Sequence, residues 1–307
     1  MAPSTTGTVV VLNPVSGSGD HADAVRRRAT LNDYDVRETD GEGDAVRFAA
    51  EAAEAGADVV AAAGGDGTLN EVVRGLDRAD ALGSVTVGVV PVGTGNDFAG
   101  HVGIADIDEA FHVLEDGERR HLDLGVANGR PFVNSCVAGL TADASSETTP
   151  EMKSKYGALA YVLNTIENVA AYEGLTLDIE AWGADRDDPS WSGEAITVLV
   201  GNGRRFTLKG SSQAHLEDDK LELTVVENAP RTELVGDALL ERLLDREAAG
   251  TVRLQAAALE ISVLGEEPAS FSLDGEIIDD RHLTVETRPS VLRFAVGDGY
   301  DPDPGSL

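Results

Sequence analysis

The 307-residue chain has one cysteine, only four lysines (Lys153, Lys155, Lys209 and Lys220), and no apolar run near helical spanning length. A membrane-spanning helix needs roughly 20 consecutive apolar residues, so none is expected. A lone cysteine cannot pair within its own chain, which excludes a disulfide framework and makes Cys136 an expected buried small apolar residue of a cytosolic protein. The histidines other than His215, namely His21, His101, His112, His121 and His282, show no ligand spacing, so no zinc site is expected. The opening MAPSTTGTVVVLNP lacks a basic stretch ahead of its strand-length apolar run, which predicts no signal peptide and a soluble protein. Basic charge is scarce too: 24 Lys and Arg stand against 55 Asp and Glu, a net charge of -31. Without a basic stripe the chain has no means of neutralising nucleic-acid phosphates. Attraction to anionic lipid at low salt is disfavoured for the same reason, an objection that weakens at molar salt. The acid is spread along the whole chain, which reads as a solvated surface adapted to very high salt, where screening shortens self-repulsion to about 3 Å at 1 M.

What is present in the first third is a regular alternation. TVVVL (Thr8 to Leu12) predicts a strand covered on both faces, followed by the turn residues NPVSGSGD and a helix through Arg28. A strand around Tyr34 to Arg37 is expected next, then a helix with Asp44 as N-cap and Gly56 as its stop. DVVAAA, TLNEVVRGL and VTVGVVP continue the series as strand, helix and strand. Strand, glycine turn and helix in repetition predict a parallel sheet flanked by helices, with ligands beyond the carboxyl ends of the strands. After about Leu122 the texture changes to short or alternating apolar segments such as GLTLDIEAW, KLELTVVE and PASFSLDGE, which predict an antiparallel β domain. Helices are expected around Tyr156 to Tyr172 and Arg231 to Arg246; Tyr156, Tyr161 and Tyr172 could rim a cleft or pack in a core. The expected organisation is an α/β nucleotide-binding domain over 1–122, a β-rich domain over 123–298, and a frayed tail over 299–307.

Three loops at the expected ligand edge carry glycines. In GGDGT (Gly64 to Thr68) the glycines let the backbone approach an anion, and the following helix presents unsatisfied N–H groups and its positive dipole end. No lysine is needed for that binding mode. Asp66 has no evident helical or packing reason to stand between glycines, and a carboxylate beside polyphosphate is expected to act through Mg²⁺. Thr68 and Glu71 also fit a T-x-x-E capping box. PVGTGNDFAG (Pro91 to Gly100) repeats the design with Thr94, Asn96 and Asp97, and NPVSGSG is the third loop.

NPVSG, GGDGTLNEV and PVGTGNDFA in this order and spacing, with SLDGE far downstream, resemble the diacylglycerol kinase catalytic family, in particular its soluble bacterial lipid kinase branch. The resemblance covers most of the chain and implies an N-terminal α/β nucleotide-binding domain, a C-terminal β-sandwich, and ATP and lipid meeting between them. It places the ATP phosphates against Asn13, Pro14, Val15, Ser16 and Gly17 and against Gly65, Asp66, Gly67, Thr68, Leu69, Asn70 and Glu71, with further contacts from Thr39 and Thr94. Phosphorylating an alcohol requires a proton acceptor and shielding of the transferred phosphoryl group. On an extended backbone Asp274 and Glu276, separated by one glycine, would share a side; DGE in a β domain reads more simply as a hairpin turn. The resemblance implies Glu276 as proton acceptor, with Asp274 second.

The family pattern P-x-A-x-x-D-D-G-x-L-D holds a structural Mg²⁺ on an aspartate and two backbone carbonyls. Here Asp218 takes the aspartate's place, with His215 and Lys220 giving the carbonyls, while Ser212 replaces the proline and Asp219 the glycine; in so acidic a chain LEDDKLE could equally be a solvated strand end. The expected activity is transfer of the γ-phosphoryl of ATP to a lipid hydroxyl, with Mg²⁺, by a cytoplasmic protein that contacts the membrane surface transiently. An NAD-kinase-like activity on a soluble hydroxyl and a nucleotide-binding regulator without catalysis are the alternatives. Oligomeric state is not readable from the sequence.

Overall fold

Small residues set how closely the first helices lie on their sheet. A Cβ built on Gly75 would stand 2.3 Å from the Val46 carbonyl oxygen and 2.8 Å from Ala49 Cβ, so two helices cross at a distance only glycine and alanine permit. These are α2 (Asp44–Glu54) and α3 (Asp66–Arg78). The computed structural model describes residues 7–17, 21–139, 174–184, 189–207, 210–228 and 250–305. The helices expected around Tyr156 to Tyr172 and Arg231 to Arg246, with the three tyrosines, lie outside the described residues. By contact the chain divides into two units, one running to Leu124 and including Pro289–Asp303, the other comprising Gly125–Arg288 and the residues from Pro304.

The first unit is built on β1 (Thr8–Leu12), β2 (Asp35–Glu38), β3 (Val59–Gly64) and β4 (Thr86–Pro91), all parallel in the order β2-β1-β3-β4. The runs VVVL and VAAAG are buried throughout, as strands covered on both faces must be. Helix α1 (Ala22–Leu31) joins β1 to β2; α4 (Asp97–His101) and α5 (Ile107–Asp116) follow β4. Asp44 is not the N-cap of α2. Gly43, at φ +80°, takes that position, and the Asp44 carboxylate accepts the N–H groups of Asp40 (2.9 Å) and Gly41 (3.1 Å) upstream. A side-chain cap is present instead at α5, where Asp106 accepts the N–H of Glu109 at 2.9 Å and Glu109 accepts that of Ala105 at 2.8 Å.

The second unit is antiparallel. β5 (Glu118–Ala127) leads into it through an Asn128-Gly129 turn, both residues at positive φ, and β6 (Arg130–Phe132) returns alongside. There follow β7 (Ser135–Gly139), β8 (Leu175–Trp182), β9 (Ser190–Gly201), the small hairpin β10 (Arg204–Thr207) and β11 (Gly210–Gln213), and β12 (Leu221–Glu227). Next come β13 (Thr251–Ala256), β14 (Ala258–Val263), β15 (Ala269–Leu273), β16 (Glu276–Asp280) and β17 (His282–Val296). Alternating side chains of β8 and β14, with Phe132, Phe271, Leu223 and the thiol of Cys136, form the core. Cys136 is the buried small residue expected, and burial drives its thiol pKa upward.

The last strand leaves this unit. Beyond Pro289, β17 belongs with the first unit and pairs parallel to β4 at Phe294 and Val87. As far as Gly305, where the described residues end, the segment after it is not frayed. Gly297 N–H donates to Val102 O at 2.9 Å, and Gly103 lies so close that a Cβ there would stand 2.4 Å from the Tyr300 nitrogen. Farther on, the Gly305 carbonyl accepts from Arg205 Nη2 at 2.8 Å, the same guanidinium that makes a buried ion pair with Glu222.

Candidate functional site

In the first unit the strand order reverses at β1, with β2 on one side and β3 on the other, and in parallel sheets that is where ligands bind. The loops leaving β1 and β3 lie side by side there. Asn13 N–H donates to Ala63 O (2.9 Å), Asn13 Nδ2 to Thr68 Oγ1 (3.5 Å), and Asn13 Oδ1 accepts the N–H of Val15 (3.2 Å), folding Asn13 to Gly17 into a tight turn. Pro14 and Ser16 complete that turn, with Ser16 N–H on Asn13 O at 3.3 Å, and Val15 is exposed. Thr39 N–H donates to Leu12 O at 2.9 Å, which brings the end of β2 to the same edge.

The loop after β4 is packed against the GGDGT loop. A Cβ on Gly93 would lie 2.2 Å from Gly65 Cα, and one on Gly65 would lie 2.9 Å from Gly95 O. Asn96 spends its amide on Gly93, accepting its N–H and donating to its carbonyl, both at 2.9 Å. Thr94 is left exposed at the tip.

Asp66 has the packing role that its sequence context hides. Its carboxylate accepts the N–H groups of Asp97 (3.1 Å) and Phe98 (3.0 Å), so it holds the first turn of α4 and ties the two glycine loops together. Gly65 is the N-cap of α3, and no side chain caps that helix. Thr68 and Glu71 therefore form no capping box. Glu71 lies farther along α3, where burial raises its carboxyl above the usual range while the N–H of Gly43 pulls it down. Leu69 faces the core, its N–H bonded to Gly65 O at 3.1 Å. Asn70 is also buried, and its Oδ1 has no hydrogen-bond partner among the described residues. Among the described residues no backbone acceptor takes the N–H groups of Gly67 and Thr68, orphans of the first turn, and none lies within 4 Å of the place where a Gly67 side chain would begin. Backbone donors, a helix dipole and free space fit a nucleotide phosphate.

In the second unit, SLDGE is a turn. Asp274 (φ +49°) and Gly275 (φ +99°) form the two-residue link between β15 and β16, with Leu273 paired to Glu276. The extended reading, with both carboxylates on one side, is corrected by these angles. Asp274 turns inward and accepts three N–H groups, from Val133 (2.6 Å), Asn134 (3.1 Å) and Ser135 (2.8 Å). Burial pushes its carboxyl up to about 6, with the three N–H donors pulling the other way. Glu276 opens β16 with its side chain about a third exposed, 3.1 Å from Arg130 Nη1. Neither Arg130 nor the Val133–Ser135 segment is singled out by sequence; the nearest signal is the Asn-Gly turn that precedes them.

In the loop around Asp218 the residue that stands in place of the family glycine takes a glycine-like conformation. Asp219 takes φ +61°, the left-handed conformation for which a glycine is the usual choice and which aspartate tolerates. Asp218 Oδ1 accepts the N–H of Lys220 at 3.1 Å, and His215 Nδ1 that of Glu217 at 3.2 Å. Burial raises the Asp218 carboxyl, opposed by His215 and the Lys220 N–H. One half-buried carboxylate among loop carbonyls fits a hard cation by donor type, although no cluster of three acidic, histidine or cysteine ligands occurs among the described residues.

Comparison with known proteins finds a family match for each part of the chain. Residues 7–127 match the diacylglycerol kinase catalytic domain, and residues 134–296 match the YegS C-terminal NAD kinase beta sandwich-like domain. A protein of Stenotrophomonas maltophilia named probable lipid kinase YegS-like is 32% identical over 301 residues, covering 93% of this chain and 94% of that protein. One of the same name from Pectobacterium atrosepticum is 30% identical over 293 residues, with 93% and 94% covered. A solved chain from Bacillus anthracis superposes with a TM-score of 0.78 at 25% identity, over 96% of this chain and 97% of that one. The crystal structure of a diacylglycerol kinase from the same organism gives 0.72 at 22% identity, over 96% and 98%, a likeness of fold alone. The expected class, a parallel α/β unit followed by a β-sandwich-like unit, is the one found.

Proposed function

The chain belongs to the diacylglycerol kinase catalytic family, and from that premise we propose that it is an ATP-dependent lipid kinase, transferring the γ-phosphoryl group to a lipid hydroxyl. The observation that carries this reading is the first turn of α3, with Gly67 and Thr68 N–H groups open at the strand-order reversal. These donors and the loops beside them would hold the phosphates through the backbone, which is how the site dispenses with lysine. When bound, ATP supplies the phosphoryl group. Glu276, presented by the hairpin turn and partly exposed, would take the proton from the lipid hydroxyl. Asp274, spent on three N–H groups, would hold the turn and so the position of Glu276. The Asp218 loop, with the carbonyls of His215 and Lys220, would hold a structural Mg²⁺.

No described helix is long and apolar enough to cross a membrane, and the substrate would be collected by transient contact with a membrane surface. The test is phosphate transfer from ATP at molar KCl to extracted lipids dispersed in detergent, with NAD as the competing acceptor and mass spectrometry of the products. Transfer to lipid supports the reading. Transfer to NAD alone would replace it with a soluble-acceptor kinase, and nucleotide binding without any transfer would leave a regulator.

A further inference from the structure

A single short segment, Arg130 to Ser135, grips both ends of the Asp274-Gly275-Glu276 turn. At its far end the N–H groups of Val133, Asn134 and Ser135 hold Asp274. At its near end Arg130 Nη1 meets Glu276 Oε1 at 3.1 Å. The segment itself is stiff: it follows the Asn128-Gly129 turn, pairs with β5 from Ala127↔Arg130 to Gly125↔Phe132, and buries Phe132 so closely on Gly125 that a Cβ there would lie 2.4 Å from the ring. Glu276 has three side-chain torsions and is about a third exposed, so its backbone position alone does not aim its carboxylate.

We infer that Arg130 is a positioning residue, which fixes the Glu276 carboxylate for the reacting hydroxyl. This rests on the lipid kinase reading, in which Glu276 is the proton acceptor. The pair lies at the surface, where an ion pair contributes little to stability, so a role in folding is not what the contact supplies. Placement is different, because a small displacement of a catalytic group is costly in rate.

The experiment compares kcat and KM of the full chain with Arg130→Lys, Arg130→Met, Glu276→Gln and the double variant Arg130→Met/Glu276→Gln, using ATP and the lipid acceptor that the transfer screen identifies. Arg130→Met is expected to lower kcat by about tenfold, with KM for ATP and the thermal midpoint close to wild type. Arg130→Lys is expected to recover part of the loss. The double variant should be no slower than Glu276→Gln alone, since Arg130 acts only through that carboxylate. A wild-type kcat in Arg130→Met, a rise in KM in place of a fall in kcat, or the same fold-loss with Glu276 already replaced would overturn the inference while leaving the kinase reading in place. Glu276→Gln with wild-type kcat would instead overturn the proton-acceptor assignment, and the positioning role with it.

Discussion

Asp66 and Phe98 are joined by a hydrogen bond of 3.0 Å from the Phe98 N–H to the Asp66 carboxylate, across 32 residues of sequence. With the neighbouring bond from Asp97, it makes one side chain the tie between two loops of the proposed nucleotide site. Replacing Asp66 with alanine should leave two N–H groups without their acceptor and cost on the order of 1–3 kcal/mol in local stability. Nucleotide affinity should then fall both with Mg²⁺ and with EDTA. If the loss is seen with Mg²⁺ and vanishes in EDTA, Asp66 acts through the metal and the loop-tie account is wrong.

The two glycines of the loop should behave differently. Gly65 faces Gly95 O at a distance too short for a Cβ, whereas Gly67 faces open space. Gly65→Ala should therefore lower the thermal midpoint. Gly67→Val should keep the fold and lose at least about tenfold in ATP affinity, because the branched side chain occupies the space before the open N–H groups. Calorimetric titration and a melting curve for each variant separate the two. Unchanged ATP affinity in folded Gly67→Val would remove the phosphate loop from the proposal.

Asp274 carries a pH dependence with a definite sign. Its folded value of about 6 lies above the ordinary 3.8, so between these the native state binds the extra proton. The contribution to stability is full below about pH 4 and is lost as pH rises through about 6, then stays constant. Removing the titrating group by Asp274→Asn should flatten that segment of the stability curve, measured by urea unfolding between pH 4 and 7 relative to wild type. Parallel curves for the two proteins would show that Asp274 does not titrate in this range.

The glycine loops were legible in the sequence because their punctuation is local: a strand, two or three glycines, a helix. The hairpin reading of DGE was legible for the same reason, since Asp-Gly is a favoured pair where two successive positive φ angles are required. The partners of these elements were not. Asp66 looks purposeless between glycines because its acceptors' donors, Asp97 and Phe98, lie 31 and 32 residues downstream, and Arg130 is 146 residues from Glu276. VLRFAVG reads as one more β segment, and nothing local tells that its backbone returns to pair with β4. Gly43 displaced Asp44 as a cap because a left-handed residue can end the turn while the aspartate reaches back to N–H groups that precede it.

The dispersed acid should make stability depend on salt. With 55 acidic against 24 basic residues, lowering ionic strength lengthens self-repulsion from about 3 Å at 1 M to about 10 Å at 0.1 M. The thermal midpoint should fall steadily as KCl is reduced from molar concentrations. A midpoint that is flat or higher at 0.1 M KCl would remove salt adaptation as the reason for the surface charge.

The Asp218 loop should respond to metal before any nucleotide is present. Its half-buried carboxyl is penalised by burial, and the Lys220 N–H offsets that only in part, so a cation would relieve a cost already built into the loop. Mg²⁺ at about 100 times its dissociation constant contributes on the order of 3 kcal/mol to whatever binds it only when folded, or several degrees in the melting of the second unit. The wild-type midpoint, measured without ATP at molar KCl, should therefore drop when EDTA replaces Mg²⁺. Asp218→Asn should melt at one temperature in both, because the charged ligand is gone while the left-handed turn at Asp219 keeps the loop in shape. Equal wild-type midpoints with Mg²⁺ and EDTA, or a full Mg²⁺ response in Asp218→Asn, would show that this loop is a strand end and not a metal site.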